Sequence, residues 1–124
     1  MSSERSLRSW LAAIQGAYFF VTGVWPLVSI GTFQLVTGPK TDLWLVRTVG
    51  VLITVIGAVL LLAAKRRAVT PEVALLAVGS ALGLAAIDII YVTARVIAPI
   101  YLADAAAELL LVAAWAFVWR RSSQ

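Results

Sequence analysis

The chain is predicted to be all-α, a polytopic membrane protein in which four transmembrane helices form a bundle with both termini cytoplasmic. Three observations predict it. Of 124 residues, 62% are apolar and only 13% charged, and the mean hydropathy of +0.98 is beyond what a water-soluble domain carries. The apolar residues fall into four runs, each of the roughly 20 residues needed to cross about 30 Å of hydrocarbon at about 1.5 Å per residue. Eight of the ten lysines and arginines lie between or beside these runs, with Arg47 and Arg95 inside them. The four runs nearly exhaust the sequence, so residues 1–124 are expected to form a single transmembrane domain with the lipid bilayer as its first partner.

The runs span about 10–30, 43–64, 73–97 and 99–119. The first follows a basic start, Arg5 and Arg8, as a signal peptide would. It is too long for one and lacks a small-residue exit, so it reads as a retained helix. Pro26 is expected to kink or stop this helix, leaving a partly irregular outer connection over about 27–42 with turn signals at Gly31 and Gly38-Pro39. It is the longest connection, and long connections tend to carry function. Thr70, Pro71 and Glu72 read as an N-cap, a first-turn proline and a dipole-matching acid opening the third helix. Pro99 is expected to open the fourth.

Arg5, Arg8, Lys65, Arg66, Arg67, Arg120 and Arg121 fall at one set of helix ends, and Lys40, Arg47 and Arg95 at the other. The positive-inside rule then places both termini and the 65–72 loop in the cytoplasm, in a plasma or bacterial inner membrane. The net charge of +4 follows from this asymmetry and requires no nucleic-acid partner. Trp10 and Trp119 suit the inner interface, Trp44 and Tyr101 the outer.

Cysteine and histidine are absent. Their absence removes disulfides, thiol redox chemistry, Ser-His and Cys-His nucleophiles, His-ligated haem and ordinary zinc sites, and no cofactor or metal is expected. Chemistry must rest on carboxylates, Arg, Lys, Tyr or Trp. The ions inside the spans are therefore the informative residues, since each costs about 2.5–3.5 kcal/mol at a helix centre. Asp88 and Glu108 are expected near the bilayer midplane, roughly 14 Å deep. Arg47 and Asp104 are shallower, and Arg95 lies at the outer rim.

Residues three, four or seven apart share a helix face. Tyr101, Asp104 and Glu108 form one such stripe, Asp88, Tyr91 and Arg95 another. Arg47, Gly50, Thr54 and Gly57 line the second helix, and Gln15, Tyr18, Thr22, Trp25 and Ser29 the first. Turned inward, these faces would form an outward-opening polar pocket with Arg47, Asp88, Tyr91, Arg95, Tyr101, Asp104 and Glu108 as candidate ligand or ion residues. Arg47 is expected to pair with at least one of the three acids. The same ions would also serve as a purely structural network that sets helix register. Gly79 and Gly83 match the small-xxx-small pattern, which serves either a homo-oligomer or packing within one chain. The 65–67 basic cluster suits anionic lipid, although topology alone accounts for it.

The stretch from Thr37-Gly38-Pro39-Lys40 through Leu43-Trp44-Leu45-Val46-Arg47 to Gly50, with Asp88-Ile89-Ile90-Tyr91 and the segment from Tyr101 to Glu108, resembles small four-helix bacterial integral membrane proteins of uncharacterised function. The resemblance covers most of the chain. It implies fold and membrane location and supplies no activity. Small multidrug exporters fit less well because their essential acid lies in the first helix, where this span has none. Dual-topology fluoride channels lack the charge bias seen here, and vitamin K epoxide reductases need cysteines.

Three readings of function stay open. A binding protein or transporter would use Asp88, Asp104 and Glu108 for a cation or proton, with Arg47 or Arg95 holding an anionic group. A membrane enzyme would use a buried carboxyl as general acid on a lipid, with Tyr and Trp facing a developing cation. An accessory subunit would use its small-residue faces to hold another membrane protein. Three acids against two arginines leave an excess of acid, which favours the first.

Overall fold

The computed structural model describes residues 2–122, and among them every regular element is a helix. These are α1 (Ser2–Val28), α2 (Ile30–Thr37), α3 (Leu43–Arg66), α4 (Pro71–Thr93) and α5 (Tyr101–Ser122). Four of them contain segments long and apolar enough to cross a membrane: Ser6–Val28, Leu43–Arg66, Pro71–Thr93 and Tyr101–Arg121. The chain is thus a membrane protein by length and composition of its helices. Its outer surface is correspondingly oily, with Leu52, Val55, Leu62, Leu75 and Leu110 all exposed.

The tightest packing joins α1 to α3, and glycine explains it. Gly16 and Gly23 lie two turns apart on α1, as do Gly50 and Gly57 on α3, so each pair occupies one face. A Cβ on Gly57 would lie 2.6 Å from the Phe20 amide nitrogen, and one on Gly23 would lie 2.5 Å from Thr54 Oγ1. No side chain fits at such separations, so the two backbones touch along this seam. Gly79 and Gly83 behave differently, since a Cβ added at either would meet nothing within 4 Å. They face outward from α4 and play no part in packing within the chain.

Helices α4 and α5 form the second close pair, and α1 also packs on α5. On α4 the buried positions are Ala77, Ala81, Ala85 and Asp88, a stripe at helical spacing whose alanines admit a near neighbour. A core of Leu11, Ala12, Leu60, Ala63, Val69, Ala77, Trp115 and Val118 fills the space between the pairs. The Arg8 guanidinium lies 3.8 Å over the Trp119 ring, and Arg67 Nη2 donates to Ser6 Oγ. The start of α1, the α3–α4 connection and the end of α5 therefore share one end, called the basic end below. The Arg5 side chain, expected there too, lies outside the described residues.

Helix ends depart from expectation in two places. The 27–42 connection is mostly helix: Ser29 breaks α1, its Oγ accepts from the Thr32 amide, and α2 follows at once. Trp25 meets Phe33 edge-on at 5.3 Å and donates through Nε1 to Thr32 Oγ1 at 3.0 Å, folding α2 back on the end of α1. The other departure is that α4 stops at Thr93 rather than near residue 97, and α5 begins at Tyr101, two residues after Pro99. Arg95 adopts a left-handed conformation, φ 61°. The Val96 amide bonds to Tyr91 O at 2.8 Å and the Arg95 amide to Val92 O at 3.0 Å, a Schellman closure. Arg67, φ 52°, ends α3 in the same way. The opening of α4 follows expectation, with Thr70 as N-cap and Pro71 in the first turn.

Candidate functional site

Three carboxylates and one phenol converge between α1, α4 and α5. Asp88 prolongs the buried alanine stripe of α4 and is 5% exposed, whereas Glu108, one turn beyond Asp104 on α5, is 1% exposed. Both come within electrostatic range of the Asp104 carboxyl, and Tyr18 of α1 lies within range of all three. Tyr18 Oη donates to Asp104 Oδ1. The earlier end of α4 changes the depth of the cluster. Asp88 is five residues, about 7.5 Å, from the end of α4, and Glu108 seven residues, about 10 Å, from the start of α5. The site therefore lies in the half of the bundle opposite the basic end.

A second polar group fixes this arrangement from below. Gln15, wholly buried on α1, donates through Nε2 to Ala77 O of α4 at 2.9 Å. Its Oε1 accepts from Trp115 Nε1 of α5 at 2.7 Å. One amide thereby ties three helices, and its donor and acceptor ends cannot exchange, because indole only donates and a carbonyl only accepts. Tyr18 stands three residues further along the same face of α1, and Glu108 is two turns from Trp115 on α5. The Gln15 clamp thus sets the rotation that aims Tyr18 at the acids.

Among the described residues no cation answers these acids. No arginine or lysine is among the charges acting on Asp88 or Glu108. Asp88 Oδ2 and Glu108 Oε1 are buried with no hydrogen-bond partner. Arg47 is exposed on α3, and its expected pairing with Asp88, Asp104 or Glu108 is not formed among the described residues. Arg95 is exposed beyond the end of α4 and Tyr91 is 41% exposed, so neither joins Asp88 on a common buried face. Tyr101 is half-buried and lies 5.1 Å from Lys40 Nζ. Lys40 in turn donates to Thr37 O and Gly38 O, both at 3.0 Å, and so closes α2.

Of the seven expected residues, the structure brings Asp88, Asp104 and Glu108 together and leaves Arg47, Tyr91, Arg95 and Tyr101 apart. Tyr18 is the residue sequence reasoning omitted from the site. Its signal was present in the polar stripe that it shares with Gln15. Among the described residues no group of acids is arranged to hold a metal ion. Cavities among the described residues lie elsewhere. A groove of about 540 Å³ runs between α1 and α3 at the basic end, and a cleft of about 140 Å³ lies between α4 and α5. Comparison with known protein families, curated proteins and solved structures finds no match.

Proposed function

We propose that this chain binds or transports a small cation at Asp88, Asp104 and Glu108, in a multi-pass arrangement with the basic end in the cytoplasm. One observation carries the reading: among the described residues two buried carboxylate oxygens, on Asp88 and Glu108, have no hydrogen-bond partner, and no basic side chain is among the charges acting on these groups. A structural ion-pair network would bring its own arginine. A ligand cation would bring the donors that these two oxygens lack. Acceptor oxygens without a donor suit a cation with N–H donors, such as ammonium or a primary alkylammonium. Tyr18 orients the Asp104 carboxyl toward it.

The test is thermal unfolding of the detergent-purified protein in choline buffer, titrated with ammonium, methylammonium, sodium or potassium. Ammonium or methylammonium should raise the melting temperature in a saturable way, with Glu108→Gln and Asp88→Asn abolishing the response while the proteins still fold. A wild type indifferent to all four cations, with both variants melting as it does, would show the cluster to be inert.

A further inference from the structure

We propose a second site, independent of the carboxylate cluster: the groove between α1 and α3 at the basic end holds the phosphate headgroup of an anionic phospholipid, its first acyl carbons lying along the helix seam. The groove is lined by Ser6, Ser9, Trp10, Ala13, Leu61, Ala64, Lys65 and Arg67. Its volume, about 540 Å³, falls within the range of small-molecule sites.

The lining is ordered along the membrane normal in the sense a phospholipid requires. Lys65 and Arg67 stand at the end of α3, both exposed. One turn further into the apolar span is Leu61, about 6 Å along the axis, with Ala13 beside it on α1. The alanines leave a furrow where larger side chains would close the seam. Trp10 is 69% exposed and forms one wall, an indole at the level where headgroups meet hydrocarbon.

Charge selects the headgroup. The helices run antiparallel, so the N-terminal dipole of α1 and the C-terminal dipole of α3 oppose each other at this end. The α3 carbonyls Ala63 O and Ala64 O are already taken by backbone amides of the turn. The field in the groove is therefore set by the side chains. Arg67 is held at its rim by the left-handed turn, and its guanidinium spends one donor on Ser6 Oγ. The rest of the fork suits phosphate oxygens. Ser9 supplies the observation that topology cannot: it lines the groove, is 8% exposed, and its hydroxyl has no partner. A serine inside a helix ordinarily bonds back to its own turn. Positive-inside topology explains lysine and arginine at this end, but not an apolar furrow with an orphan hydroxyl between them.

The experiment is native mass spectrometry of the full chain in detergent, titrated separately with phosphatidylglycerol and phosphatidylcholine of the same acyl composition. Phosphatidylglycerol should bind at least tenfold more tightly. The double variant Lys65→Gln, Arg67→Asn should lose that preference; asparagine is chosen because it tolerates the left-handed conformation. Leu61→Trp, which fills the furrow without changing charge, should weaken the tight adduct as well. Arg120→Gln with Arg121→Gln, an equal charge loss at the same end outside the groove, should leave it intact. Equal binding of the two lipids overturns the proposal, as does a loss of preference in the Arg120, Arg121 control to the same extent. Retention of the preference in both groove variants places the lipid elsewhere. Displacement of phosphatidylglycerol by millimolar inorganic phosphate would mark a soluble-anion site in place of a lipid site.

Discussion

Two side chains make opposite predictions about how charge is held in this protein. Tyr18 is half-buried and donates to Asp104, so Tyr18→Phe removes a hydrogen bond to a charged group and should cost about 1.5–3 kcal/mol. Arg47 is exposed and, among the described residues, answers no acid. Arg47→Leu should change stability by less than about 0.5 kcal/mol, as for surface positions without a special role. Reversible unfolding in mixed micelles reads both. A sharp loss in Arg47→Leu would mean that this arginine reaches the carboxylates after all, and would remove the reason for seeking an external cation. Asp88 and Glu108, expected on inward-turned polar faces, are buried, but both lie nearer the helix ends than counting along the apolar runs indicated, because α4 ends at Thr93 and α5 starts at Tyr101. Pairing of Arg47 was not legible, because it depends on how far each helix is rotated about its axis. Here Arg47 shares the Gly50 and Gly57 face of α3 but lies a turn nearer the helix start, where it stays exposed.

At the scale of elements, the glycines divide into two groups that sequence pattern alone does not separate. Gly57 sits where a methyl group would strike the Phe20 backbone, whereas Gly83 faces open space. Gly57→Ala should therefore destabilise the chain by about 1–3 kcal/mol, as overpacking does. Gly83→Ala should be neutral or stabilising by up to about 1 kcal/mol through helix propensity. Melting of the two variants side by side checks this. A loss at Gly83→Ala comparable to that at Gly57→Ala would show that a second copy covers the outward face of α4. Of the two roles open to the Gly79 and Gly83 spacing, packing within the chain is not the one it serves, and the seven-residue spacing of Gly16 with Gly23 and of Gly50 with Gly57 is a weaker signal until both helices are placed side by side. The start of α4 was legible where its end was not. Thr70 and Pro71 announce α4 through a capping oxygen and a missing N–H, but Arg67 and Arg95 occupy left-handed positions normally marked by glycine.

For the whole molecule, the end that carries Arg8, Lys65, Arg66, Arg67, Arg120 and Arg121 should lie in the cytoplasm. Since the chain has no cysteine, Thr41→Cys and Ala68→Cys, both at exposed positions, can be labelled singly with an impermeant maleimide. Thr41→Cys should react in intact cells and Ala68→Cys only after lysis; the reverse pattern would invert the molecule, and labelling of both before lysis would indicate mixed insertion. The Gln15 clamp adds a constraint in time. The glycine seam lets α1 and α3 close on each other as soon as the first hairpin is in the bilayer, but the acceptor and donor that satisfy Gln15 belong to α4 and α5, which are synthesised later. The early hairpin must carry a bare amide among lipid chains until the second hairpin arrives. Assembly is therefore ordered: the second pair is recruited by a polar debt left in the first, and only the register that places Ala77 and Trp115 at the level of Gln15 settles it.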